Sequence, residues 1–267
     1  QFFVKTFYFA LGITLILNVS AFAQLLVGPE AGVNYSWAAF RDKELKEVYQ
    51  MKPIIGFHVG GHLAFKVRNR FFLHASLLYS TKGRELNGIL DGMLKNSARY
   101  NFIEMPINYT VDFRGKLKGK EFKYFLGIGP NLSYWLGGKG KLYNSELEEN
   151  NLGELSYKVK FKKSEDEQAS DEMIVDKPNR LQLGLNLIAG MVFEPWYKQR
   201  FMFSIRYELG HTYLAKSDGN FLNTYFSDPL KSRNHGFRIS LSYLVDLKTE
   251  ERKKGKSTID KRKLNKR

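Results

Sequence analysis

In the stretch Asn101-Phe102-Ile103-Glu104-Met105-Pro106-Ile107-Asn108-Tyr109-Thr110-Val111-Asp112-Phe113 the residues alternate from Ile103 onward. Ile103, Met105, Ile107, Tyr109, Val111 and Phe113 fall on one side of an extended chain; Glu104, Pro106, Asn108, Thr110 and Asp112 fall on the other. Side chains of a β-strand point to opposite faces with period two, so this pattern predicts a strand with one apolar and one polar face.

The same reading applies outward in both directions. Towards the N-terminus, Val27, Ala31, Val33, Tyr35 and Trp37 oppose Gly28, Glu30, Gly32, Asn34 and Ser36. Next, Ile55, Phe57, Val59, Leu63 and Phe65 oppose Gly56, His58, Gly60 and His62. In a third run Phe71, Leu73, Ala75, Leu77 and Tyr79 oppose His74, Ser76 and Ser80. Towards the C-terminus, further runs start at Tyr124, Leu181, Phe201 and Phe237. The predicted fold is therefore all-β: an eight-stranded antiparallel up-and-down transmembrane β-barrel over residues 24–247. Predicted connections alternate between short turns (66–70, 114–121, 194–199) and long loops (38–52, 83–98, 137–178, 216–234). Short periplasmic turns and long external loops are the pattern of outer-membrane barrels, and an even strand count puts both termini in the periplasm.

Composition agrees with this reading and excludes others. The mean hydropathy of -0.37 averages apolar alternating runs with charged connections. The polar face is rich in Gly, Ser, Asn and His rather than in the Lys and Glu of a water-facing surface, which suits a crowded interior. A soluble periplasmic barrel carrying an apolar ligand, with the apolar face turned inward, is the structural alternative. Aromatic residues near strand ends (Tyr35, Trp37, Tyr79, Tyr134, Trp135, Trp196, Tyr197 and Tyr213) are predicted to form the girdles at the two membrane interfaces.

Two terminal segments stand apart. Lys5, the apolar run from Phe7 to Leu17 and Ala21-Phe22-Ala23 read as a signal peptide over residues 1–23, cleaved after Ala23. Residues 248–267 hold ten Lys or Arg against three acids and predict a disordered basic periplasmic tail. That tail supplies about half of the net charge of +15, so the charge is not a nucleic-acid signature, and no aromatic interleaves it for base stacking. The chain has no cysteine, which excludes disulfides, thiolate metal sites and a lipid-modified cysteine.

The motifs Gly32-Val33-Asn34-Tyr35-Ser36, Gly56-Phe57-His58-Val59-Gly60, Leu77-Leu78-Tyr79-Ser80-Thr81-Lys82-Gly83, Ile103-Glu104-Met105-Pro106-Ile107 and Gly127-Ile128-Gly129-Pro130, in this order, resemble the PorT-like outer-membrane β-barrel family. The resemblance spans nearly all of the chain after residue 23 and implies an eight-stranded barrel without an assigned activity for most members. The charged stretch from Gly137 to Pro178 and the basic tail depart from it.

Glu30, Glu104, Arg206, Glu208 and Arg238 fall on the inward face. Charges enclosed in a narrow barrel need partners, so these five are predicted to form an interior ion-pair network. His58, His62 and His74 also project inward, but His58 and His62 lie roughly 13 Å apart along one strand. Metal bonds are about 2 Å, so no metal and no cofactor are expected. His74 and Ser76, with Glu104 to orient the imidazole, define the enzymatic alternative, a membrane-embedded lipid-modifying hydrolase. The acids Glu146 to Asp176 lie beside Lys158, Lys160, Lys162 and Lys163 and read as a solvated external hairpin rather than a Ca²⁺ loop. The function expected is that of a non-enzymatic outer-membrane protein with a structural, anchoring or export-associated role. Its expected partners are outer-membrane lipid and a cell-envelope protein reached through external loops or tail.

Overall fold

The computed structural model describes residues 25–40, 42–89, 92–117, 120–161, 169–195, 199–222 and 224–247. The predicted signal peptide, the basic tail, Trp196 and Tyr197 lie outside the described residues.

Eight long strands close a ring: β1 (Leu25–Phe40), β2 (Tyr49–Arg68), β3 (Phe71–Gly88), β4 (Lys95–Leu117), β5 (Lys120–Tyr143), β8 (Leu181–Phe193), β9 (Gln199–Tyr213) and β12 (Ser232–Asp246). Every neighbouring pair is antiparallel, and the ring closes where β1 meets β12, with Val33 opposite Ile239 and Glu30 opposite Ser242. Closure removes the sheet edges that hydrocarbon cannot hydrate, so the wall's backbone groups find their partners between strands. The residues quoted for each predicted strand all lie within one of these eight.

The phase of the strands is decisive. Leu77 is 63% exposed and Ile55 65%, while Ser76 between such positions is 5% exposed. The apolar face points out and the polar face in, so the soluble-carrier alternative, which needs the reverse, does not hold. On β3 the apolar band runs from Phe71 to Tyr79, about the nine to eleven residues a tilted membrane strand needs. Aromatic pairs flank the band at both ends. Trp37, Tyr207 and Phe237 pack together at one rim, with Tyr207 and Phe237 centroids 4.8 Å apart; Phe71–Tyr109, Phe113–Tyr124 and Phe201–Tyr243 pack at the other, at 5.7, 5.2 and 5.1 Å. Trp135 does not join a girdle: one residue on from outward-facing Tyr134, it points inward and is fully buried.

The predicted long loops are shorter than expected, because β2 to β5 continue past the band. The Lys, Arg and Glu residues that read as loop composition, such as Glu85, Lys95, Arg99, Lys139 and Lys141, lie on strands, facing away from the lumen. On the inward side of these extensions the residues become apolar: Leu86, Ala98, Tyr100, Phe102 and Leu142 are buried. The predicted 137–178 loop, with its Glu146–Asp176 hairpin, is instead part of a folded cap. After β5 come α1 of the cap (Ser145–Glu149), β6 (Leu155–Phe161) and β7 (Glu172–Val175), and β10 (Gly219–Asn220) and β11 (Ser227–Asp228) extend the same sheet. Together they bury a core including Leu147, Tyr157, Met173, Val175, Leu214 and Leu230 around Trp135. Gly137, at φ +146°, sits at the register shift opposite Asn101 where wall becomes cap, a conformation that favours glycine.

Candidate functional site

The inward faces of the eight strands meet in a lumen narrow enough that side chains fill it. At Gly32, an added Cβ would lie 2.7 Å from Cε1 of His58, and at Gly190, 2.4 Å from Cζ of Phe125. The glycines are what let these rings enter.

Three layers follow one another along the axis. At the end bearing the short turns, Leu26, Ala64, Phe72 and Leu244 form one apolar cluster and Phe125, Ile188 and Met202 another. In the middle lies a polar layer. Above it stands the apolar core of the cap.

The polar layer contains all five residues the sequence singled out, each buried. The structure divides them into two groups. Glu30 accepts from Nη2 of Arg206 at 3.4 Å and from Ser76 at 2.7 Å, and its Oε2 lies 2.9 Å from Nδ1 of His62. Nε2 of His62 is in turn 2.9 Å from Nδ1 of His74, whose ring stacks on Phe125. His58 bridges Asn34 and Ser240, at 2.8 Å to each.

The second group is a closed quartet. Arg238 donates to Glu104 and, at 3.3 Å, to Glu208; Lys82 pairs with Glu104 and, at 2.5 Å, with Glu208. Each cation thus touches both carboxylates. Lys82 is the member that the sequence reading missed. It was signalled by period two, which runs through His74, Ser76, Ser80 and Lys82 on one face, but it lay one residue before the stretch read as a loop. With Lys82 included, three carboxylates (Glu30, Glu104, Glu208) meet three fixed cations (Lys82, Arg206, Arg238), so the layer is neutral without charging a histidine.

The hydrolase constellation is not assembled. Ser76 donates to Glu30 rather than to an imidazole, His74 contacts His62, and Glu104 is engaged by Lys82 and Arg238. Among the described residues no group of three or more His, Asp or Glu is placed to hold a metal ion.

A separate buried pair locks the cap. Arg84, at the upper end of β3, donates to Asp228 at 2.6 Å, to the carbonyl of Pro229 at 2.9 Å and to Ser232 at 2.8 Å. Neither partner is signalled by the sequence reading: Arg84 falls in the stretch 83–98 read as a loop, and Asp228 in the connection 216–234. Around Asp228, burial first and this carboxylate second raise the hydroxyl of Tyr157 well above its ordinary pKa, and they raise that of Tyr49 in the same direction. The predicted acidic hairpin residues have local partners: Glu154 with Lys141, Asp171 with Lys158, and Glu146 accepting from Thr224 and the Tyr225 amide. Residues 162–168, with Glu165, Asp166 and Glu167, lie outside the described residues.

The sequence profile of the outer membrane protein beta-barrel domain matches residues 22–213. Among solved structures, Neisserial surface protein A is similar at 13% identity and a TM-score of 0.39, over 84% of this chain and 97% of that one. The outer membrane protein OprG from Pseudomonas aeruginosa is similar at 10% identity and a TM-score of 0.46, over 84% and 95%. Ail, the attachment invasion locus protein of Yersinia pestis, is similar at 10% identity and a TM-score of 0.33, over 82% and 97%. No curated protein matches significantly.

Proposed function

From the premise that this chain belongs to the outer membrane protein beta-barrel domain family, we propose that it is a non-enzymatic, eight-stranded up-and-down barrel of the PorT-like kind, a closed anchor that displays a folded cap. One observation carries this reading: the lumen holds a buried, charge-balanced layer between two apolar layers. A pore needs a continuous polar path, and a lipid hydrolase needs a nucleophile presented to its substrate; neither arrangement is present among the described residues. Work is therefore left to the outside of the cap and to what the barrel holds in place. The role is structural or anchoring, or associated with export across the envelope, with a protein partner engaged through the cap or the basic segment 248–267.

In this reading residues 1–23 are a signal peptide and both termini are periplasmic, so the cap faces the exterior. The absence of cysteine makes the test clean. Glu149→Cys, on the exposed end of the cap helix, should react with a membrane-impermeant maleimide on intact cells, and the purified protein should show no steady conductance in planar bilayers. Labelling only after cell lysis overturns the orientation. A steady ohmic conductance overturns the closed anchor.

A further inference from the structure

Above the apolar band, on the outer face where β4 and β5 continue into the cap sheet, a groove of about 550 Å³ is lined by Ser97, Arg99, Lys139, Lys141, Ser156 and Lys158, with the Asp171 carboxylate at the Lys158 side. Strand register explains its charge. Arg99 on β4 stands directly opposite Lys139 on β5, and Lys139 directly opposite Lys158 on β6, so three cations form a row across three strands. Like charges opposite one another on neighbouring strands are destabilising. The acids nearby are spoken for: Glu154 pairs with Lys141 at 2.5 Å and Asp171 with Lys158 at 3.3 Å. Among the described residues no carboxylate lies within ion-pair distance of Arg99 or Lys139.

The height of the groove narrows the class of anion that would complement these cations. The band on β4 ends at Ile103, which pairs with Tyr134, and the guanidinium of Arg180 lies 4.7 Å from the centroid of the Tyr134 ring. Arg99 is four residues further on, about 13 Å along the strand and roughly 10 Å along the membrane normal for a strand tilted by about 40°. That distance passes the acyl region and reaches the outer edge of the layer of headgroups, which is about 5–8 Å thick on each side, so the long side chains of Arg99 and Lys139 can reach down to headgroup phosphates from the water side. The groove is larger than a bare phosphate needs and falls in the range of small-ligand sites. The two serine hydroxyls suit sugar hydroxyls as the cations suit phosphate.

We infer that this groove binds the phosphorylated sugar headgroup of a glycolipid in the surrounding leaflet, with Arg99 and Lys139 sharing its phosphate. The inference rests on the reading that the cap end faces the glycolipid-bearing leaflet, and the two can fail separately.

The test uses the whole protein in detergent micelles. The probes are a glucosamine-disaccharide lipid carrying phosphate, the same lipid dephosphorylated, and inorganic phosphate, with binding followed by thermophoresis. The phosphorylated lipid should bind, the dephosphorylated one at least tenfold more weakly. Arg99→Gln with Lys139→Gln should weaken binding on the order of 30-fold, as two basic contacts to anionic lipid imply. Lys43→Gln with Lys46→Gln removes the same charge from the short helix Lys43–Val48 between β1 and β2, which has no buried residue, and should change affinity less than twofold. Equal losses in the two double variants, or no binding of the phosphorylated lipid, overturn the site. Competition by millimolar inorganic phosphate as effective as that of the lipid reassigns it to a free anion and overturns the lipid. Binding in micelles combined with no surface labelling of Glu149→Cys leaves the groove standing and removes only the orientation.

Discussion

Replacing Arg238 with Met keeps most of the side-chain volume and removes the cation that touches both Glu104 and Glu208. The luminal layer then holds three carboxylates against Lys82 and Arg206, and one buried negative charge is left uncompensated, Lys82 being shared between Glu104 and Glu208. Removing one member of a buried ion pair costs about 3–5 kcal/mol, because the remaining charge stays desolvated. With a denaturant dependence of about 2–3 kcal/mol per molar urea, the unfolding midpoint should fall by about 1–2.5 M. The assay is urea unfolding in detergent, read by the mobility difference between unheated and boiled samples. The double variant Arg238→Met with Glu208→Met restores neutrality, leaving Glu104 with Lys82, and should recover a large part of the loss, so the two substitutions couple rather than add. An unchanged midpoint for Arg238→Met, or a double variant as unstable as the sum of the singles, would refute the view that charge balance sets the stability of the lumen.

Two further outcomes follow from the same geometry. The hydroxyls of Tyr157 and Tyr49 are held neutral in the fold, so the stability they contribute is full below their ordinary value near 10 and is lost as pH rises through their raised folded values. Above about pH 10 the cap should loosen, seen as a red shift in the part of the fluorescence that Trp135→Phe removes, while the ring keeps its unheated gel mobility; a cap that stays closed at pH 12 would contradict this. Ser76→Ala deletes a hydrogen bond to the Glu30 carboxylate and should cost about 1.5–3 kcal/mol in urea unfolding. It should leave the composition of added phospholipid vesicles as the unmodified protein leaves it, and a lipid product that disappears in the variant would reinstate the hydrolase.

The strand runs and the inward charges were legible because period two is local: Glu30, Glu104, Arg206, Glu208 and Arg238 can each be assigned a face from their immediate neighbours. What those five touch is not local. Arg238 meets Glu104 across a sequence separation of 134 residues, and which carboxylate it chooses depends on ring closure and shear rather than on pattern. Lys82 and Trp135 were misjudged for a related reason, since both sit where the band ends and composition changes before the strand does. The cap was invisible because its strands are short, and because its core draws Leu147, Met173, Leu214 and Leu230 from four separate segments, none with a period of its own.

The change in composition along β4 carries a final consequence. From Ile103 towards Tyr109 the outward residues are apolar and the inward ones polar; from Phe102 back to Ala98 the inward residues are apolar, and the outward ones are Asn101, Arg99, Ser97 and Lys95. β4 keeps its own alternation through this inversion, the extra residue at the register shift lying on β5, so the medium outside must change, from hydrocarbon to the hydrated side. The boundary therefore lies between Asn101 and Ile103 on the outer wall. Single cysteines at Lys95, Ser97, Arg99, Asn101, Ile103 and Met105, each carrying a fluorophore in reconstituted vesicles, should be quenched by aqueous iodide at the first four positions and by brominated acyl chains at the last two. The two quenching profiles should cross within one outward position, about 7 Å of strand. A gradual crossing over the whole series would mean that the wall is not held at a fixed depth, and a crossing near Lys95 would place the cap sheet in lipid and its lysines in the wrong medium.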